Sequence, residues 1–273
     1  MGTFDTYGRS AVLSDPGCKT WGMTSSLSFD RRLELVAERS AALRSSVAGA
    51  LDVPVPGCPK WTGRDLVAHL GEVHRSWAVV VAAGAGAEPP DDEDVPERTP
   101  TGDLFDWSER STELLLTALA AAGPNRRVWT WWGEPADAGA VARHQVQEAT
   151  VHAWDAEDAL GRAGALPIEP AADGVDEFLS TAVPMLAGWP QPVTAAVVAD
   201  DLPGGAWRVS LDSAGPRLER VDPVGSHRAA DVVLRGSASG LVLVFYRRRG
   251  IETLDVTGDL ALAERFAGSF PTD

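Results

Sequence analysis

The sequence predicts an α+β protein, with a four-helix bundle over residues 29–164 and a smaller mixed α/β domain over residues 165–273. Three observations lead there. Helical segments joined by Gly-, Pro- and acid-rich stretches fill the first part of the chain. Short β-branched runs begin only beyond Gly164. With 273 residues, 44% of them apolar, the chain is long enough for a sizeable core, and its length suits two modest domains.

Residues 1–28 mix Gly, Ser, Thr and Asp without a stable period and read as a flexible tail, with Met23 as an alternative initiator. From Phe29 to Leu51 the apolar Leu33, Val36, Ala37, Leu43 and Val47 recur mostly at helical spacing, giving the first helix. The Pro-rich run from Val53 to Trp61 cannot be helical. Thr62 then offers an N-cap oxygen, with Asp65 three residues on in the capping-box place, for a second helix over 63–82. Residues 82–101, including Pro89-Pro90-Asp91-Asp92-Glu93-Asp94, read as a solvated acidic loop that could cover a cleft. A third helix is expected over 102–122. The segment 123–139 carries Trp129, Trp131 and Trp132, and a fourth helix runs from 140 to 160, ending before Gly161.

The second part opens with a helix over 171–187. Strands follow at Val193–Val198, Trp207–Leu211 and Asp231–Leu234, then a helix over 237–248, a strand over 253–256 and a helix over 260–266, so that helices cover the sheet. There is no internal repeat and no G-x-G-x-x-G fingerprint.

A net charge of −15 opposes approach to phosphate backbones and anionic membranes, which argues against nucleic acid and membrane partners. No apolar stretch is long enough to span a bilayer and no signal peptide is evident, so the cytoplasm is the expected location. Cys18 and Cys58 form neither a disulfide framework nor a cysteine-based zinc motif, and both are expected as free thiols.

Four of the five histidines, His69, His74, His144 and His152, fall in the bundle. Glu148 and His152 stand four residues apart, one above the other on a helix face. If His69 from the second helix meets them, two imidazoles and a carboxylate suit Zn²⁺ or another divalent ion and leave a position open. His144, two such steps from His152, diverges by roughly 80° and is a rim or outer candidate. His74 lies about 140° from His69 on its helix, so the two should not both face inward. The competing reading of Glu148 and His152 is an ordinary surface pair. Asp155 and Asp158 are either outer partners that orient ligand imidazoles or, more in keeping with a helix end, solvated acids. The three tryptophans wall a ligand pocket or pack between the domains.

The string Cys58-Pro-Lys-Trp61-Thr-Gly-Arg-Asp65-Leu-Val-Ala-His69-Leu, together with Arg143-His-Gln-Val-Gln-Glu148-Ala-Thr-Val-His152-Ala-Trp-Asp155, resembles the mycothiol-dependent maleylpyruvate isomerase family. The resemblance implies a DinB-like four-helix bundle with a metal held by His69, Glu148 and His152. It extends to Ala230–Arg248 and Val256–Asp259, implying a C-terminal sterol-carrier-like α/β domain. An arginine near the end of the helix there is implicated in activity in the family, which points to Arg248 or Arg247. Here Tyr246-Arg247-Arg248 lacks the Gly of the aromatic-Gly-Arg pattern, and the arginine run also suits a cationic helix end.

By the same resemblance the cofactors are Zn²⁺, or another divalent metal, and mycothiol. The metal lowers the thiol pKa, the thiolate adds to the cis double bond of a substrate such as maleylpyruvate, the bond rotates, and sulfur leaves. The protein then needs a dry pocket and a cation for the substrate carboxylates, a role expected of Arg248 or Arg247. Thiol S-transfer would use the same apparatus. The partners are the thiol and a small electrophile, on a monomer or homodimer. Two rival functions stand beside these: a non-enzymatic module holding an apolar ligand, and a metal-dependent hydrolase that needs no thiol.

Overall fold

The computed structural model describes residues 27–85, 90–186, 189–223, 225 and 230–270. The expected tail, Met23 and Cys18 lie outside the described residues, as does part of the acidic loop.

The bundle comprises α1 (Phe29–Ser46), α2 (Gly63–Ala83), α3 (Leu104–Ala122) and α4 (Ala138–Ala159). Each start has a local cause. Ser28 Oγ accepts from the Arg31 amide at 3.1 Å, and Asp103 and Asp137 accept from amides in the first turns of α3 and α4. At α2 the Thr62 N–H donates to Asp65 Oδ2 at 2.8 Å, the capping-box bond supplied by an aspartate. The first helix is shorter than expected and stops at Ser46; the following turn contains Gly49 at φ 81°, a left-handed position that glycine takes without strain.

Helix α1 lies along α4, and α2 along α3. Helix α4 is buried almost all round. Val141, Ala142 and Val146 enter one bundle cluster, Ala149, Ala153 and Ala156 another, and Val151 and Trp154 join the core of the C-terminal region. A helix buried on every side has neighbours on every side, and here its buried face includes the polar Gln145, Gln147, Glu148, His152 and Asp155.

The C-terminal region contains α5 (Ile168–Ala182), β1 (Val193–Ala199), β2 (Ala206–Asp212), β3 (Gly215–Arg220), β4 (Val232–Gly236), α6 (Ala238–Phe245), β5 (Asp255–Gly258) and α7 (Leu260–Gly268). The sheet order is β3-β2-β1-β4-β5; β1 and β4 are parallel and the other pairs antiparallel. Ala195, Val197, Trp207, Val209, Val232 and Leu234 point to the face where Phe178, Leu241, Phe245, Phe266 and Phe270 pack. This period-two alternation against amphipathic helices makes the architecture α+β.

Three expectations are corrected. Strand β3 gave no sequence signal, because Gly-Pro-Arg-Leu-Glu-Arg is a mostly polar edge strand held by its ladder to β2. Helix α6 ends at Phe245 rather than Arg248, and the chain then turns through Arg247 at φ 58°. The last strand begins at Asp255, since Ile251–Thr253 is a 3₁₀ turn. Among the described residues no helix is long and apolar enough to cross a membrane.

Candidate metal centre

Helix α4 presents Glu148 and His152 toward α2, and α2 presents His69 toward them. His69 Nε2 lies 3.1 Å from Glu148 Oε1, and His152 Nε2 lies 3.4 Å from the same oxygen. One potential ligand atom from each of the three falls within 4.8 Å of the others. The His69 side chain remains 23% exposed while that of His152 is 4%, so the group opens on the His69 side. The Trp61 indole covers part of it, its ring centroid 4.6 Å from that of His69 and 5.9 Å from that of His152.

A second tier stands behind His152. Asp155 Oδ2 is 3.0 Å from His152 Nδ1. Arg248 grips the same carboxylate, Nε to Oδ1 at 2.9 Å and Nη2 to Oδ2 at 2.8 Å. Arg248 Nη2 also donates to Cys58 Sγ at 3.3 Å, and Nη1 to the Tyr246 carbonyl at 2.8 Å. Both charged side chains are buried, Asp155 completely.

The electrostatics follow from this crowding. Burial alone would push the Glu148 carboxyl up, but His152 and His69 outweigh it and hold it well below the usual range. Burial would lower His152, yet Asp155 and Glu148 raise it to about 9. Burial works against the Asp155 carboxylate too, and His152 and Arg248 prevail to keep it ionised. Burial pushes the Cys58 thiol up to about 11, so this sulfur is an uncharged neighbour. A donor set of two imidazole nitrogens and one carboxylate oxygen fits a divalent ion of the Zn²⁺ type. With Nδ1 of His152 engaged by Asp155, Nε2 is the nitrogen that faces the common centre.

Other candidate residues fall elsewhere. Arg247 donates to the carbonyls of Gly268 and Phe270, both at 2.7 Å, and so ties down the end of α7. Arg248 commits four of the five N–H groups of a guanidinium to protein acceptors and is no free cation for substrate carboxylates. Asp155 is not the solvated acid expected at a helix end, because the C-terminal region closes over it. Asp158, at 3.7 Å from Arg249, is a partly exposed ion-pair partner. His144 Nδ1 meets Glu177 of α5 at 2.9 Å, away from the triad. His74 is wholly buried and 3.2 Å from Thr112 Oγ1, contrary to the helical-wheel expectation: α3 covers one face of α2 and α4 another, so two directions about 140° apart are both interior. Trp129, Trp131 and Trp132 pack on the bundle core, with Trp132 5.5 Å from Trp77. The sequence reading missed the contribution of Cys58, although it precedes Trp61 in the quoted string.

Residues 33–157 match the family model described as mycothiol maleylpyruvate isomerase N-terminal domain, and residues 169–265 match the model of the C-terminal domain of the same family. A solved structure of the mycothiol-dependent maleylpyruvate isomerase superposes with a TM-score of 0.59 at 18% identity, over 86% of this chain and 95% of that one. A structure of a histidine-to-alanine mutant of that isomerase gives the same values. At that identity the likeness establishes the shared fold. No curated protein sequence matches the chain.

Proposed function

Since the chain belongs to the mycothiol-dependent maleylpyruvate isomerase family, we propose that it is a metal-dependent enzyme that applies the mycothiol thiolate to a small electrophile. The carrying observation is the approach of His69 Nε2 and His152 Nε2 to one oxygen of Glu148, at 3.1 and 3.4 Å. These three side chains would hold the ion. A divalent cation bound there lowers the pKa of a coordinated thiol and so supplies a thiolate at neutral pH.

The rest belongs to the protein. Asp155 accepts the Nδ1 hydrogen of His152 and orients the ring, so that Nε2 is the nitrogen that would give up its proton to take the ion. Trp61 lies against both imidazoles and covers part of the group. Glu148, Val151, His152, Tyr246 and Arg248 line a small recess between the bundle and the C-terminal region, next to the triad. This recess has room for about one water molecule, so we assign the electrophile to the exposed His69 side of the triad.

Cis–trans isomerisation of a maleylpyruvate-like dicarboxylic enone is the favoured reaction, and S-transfer is its nearest alternative. Purified protein supplied with mycothiol and maleylpyruvate distinguishes them. Isomerisation forms the trans isomer with the thiol recovered in full, whereas S-transfer consumes thiol mole for mole. Turnover without thiol would overturn the proposal, as would a protein that retains no divalent metal.

A further inference from the structure

Asp155 is the meeting point of three distant segments. Helix α4 supplies the carboxylate, the loop before α2 supplies Gly57 and Cys58, and the turn after α6 supplies Arg248. The guanidinium engages both carboxylate oxygens, and Oδ2 is shared between Arg248 Nη2 at 2.8 Å and His152 Nδ1 at 3.0 Å. A forked donor of this kind fixes the plane of a carboxylate as well as its charge. The loop backbone presses on the pair so closely that a Cβ at Gly57 would sit 2.7 Å from Asp155 Oδ1 and 3.2 Å from Arg248 Nε. The carboxylate therefore has little freedom to swing, and neither does the imidazole it holds.

We infer that Arg248 is a positioning residue of the metal centre: it acts through Asp155 on the ring of His152, so that the C-terminal domain sets the metal affinity of a triad carried wholly by the bundle. The inference rests on the metal-site reading given above and gives Arg248 a task other than gripping substrate. The direction of its effect separates it from simple electrostatics. Removing a buried positive charge near a cation site, with Asp155 left uncompensated, strengthens cation binding by Coulomb's law. Removing a support that aims a ligand weakens it, and losses for such outer partners run at about 10–100-fold in affinity. A role in overall stability alone would leave the affinity of the folded protein unchanged.

The test uses the full chain stripped of metal and titrated with Co²⁺ against a competing chelator, with the visible d–d bands read alongside. Arg248→Gln is expected to lower Co²⁺ affinity by about tenfold or more and to alter the bands, while far-UV circular dichroism stays that of the parent. Affinity equal to or above the parent's, in a folded variant, overturns the inference. Should Arg248→Gln not fold, Gly57→Ala decides by the same criterion, since it displaces Asp155 without changing any polar group. If the parent protein itself takes up no Co²⁺, the metal-site reading fails first; uptake by the parent with undiminished uptake by both variants removes only the role of Arg248.

Discussion

The indole of Trp61 lies across the imidazole of His69, centroids 4.6 Å apart and planes inclined by 45°. Of the three triad side chains, His69 is the most exposed, at 23%, and the ring contact restrains it on one side. Replacing Trp61 by Leu should leave the bundle folded and lower divalent-metal affinity by about tenfold, the lower end of what loss of a supporting group costs. Trp61→Phe should recover most of it. Chelator competition on the metal-stripped protein measures both, and parent-like affinity in Trp61→Leu would remove the aromatic support from the account.

Gly71 of α2 faces the fully buried ring of Trp107 on α3, where a Cβ would lie 2.2 Å from Cζ3. An alanine gains about 1 kcal/mol of helix propensity. Forcing a methyl into a filled core costs about 1–3 kcal/mol. The cost should prevail, because Trp107 Nε1 is bonded to the Glu97 carbonyl at 2.9 Å and the ring has nowhere to slide. Gly71→Ala should therefore unfold at lower urea concentration than the parent, and an unchanged or higher midpoint would contradict the packing argument.

Burial depresses the His74 imidazole from 6.5 to about 3. The folded state thus holds His74 neutral, whereas the unfolded chain takes up a proton below 6.5. The contribution is fully present above pH 6.5 and is lost as pH falls toward 3, at a rate of no more than about 1.4 kcal/mol per pH unit from this one group. Urea unfolding between pH 7 and pH 4 should show His74→Gln losing less stability on acidification than the parent. Equal pH slopes would mean that His74 is not held neutral.

Asp176 ties three elements together. Its Oδ1 accepts from Trp207 Nε1 at 2.8 Å and Arg220 Nε at 3.0 Å, and its Oδ2 from Arg143 Nη2 at 2.9 Å. Burial works to raise this carboxyl, but Arg143, the Trp207 indole and Arg220 keep it below the ordinary range. Asp176→Asn should destabilise the protein by about 1–3 kcal/mol, the cost of a charged hydrogen-bond partner lost where the others remain. The difference should be present above pH 4 and fade as acid protonates the parent's aspartate. A denaturation midpoint unchanged at pH 7 would argue against this hub.

What could be read from the residues follows the range of the interactions. Glu148 and His152 share a helix, so their alignment is a matter of local geometry that spacing alone expresses. His69, preferred over His74 on its local context, does lie beside Glu148 and His152, but His74 is buried against expectation, because burial depends on which helices flank α2. Asp155 stood in view three residues from His152, yet its ionic partner Arg248 is 93 positions away and reaches it only when the C-terminal region docks. No local pattern encodes that meeting. The sheet was visible where β-branched residues alternate and invisible at β3, whose polar residues are strand-forming only because β2 lies beside them.

The distance along the chain between Cys58 and Arg248, 190 residues, has a consequence for assembly. On a growing polypeptide the triad exists once α4 has emerged, whereas the guanidinium that braces it is made 93 residues after Asp155. The closing of so large a loop carries an entropic cost that only completed docking offsets. The triad would therefore reach its final, braced geometry only when the C-terminal region has docked.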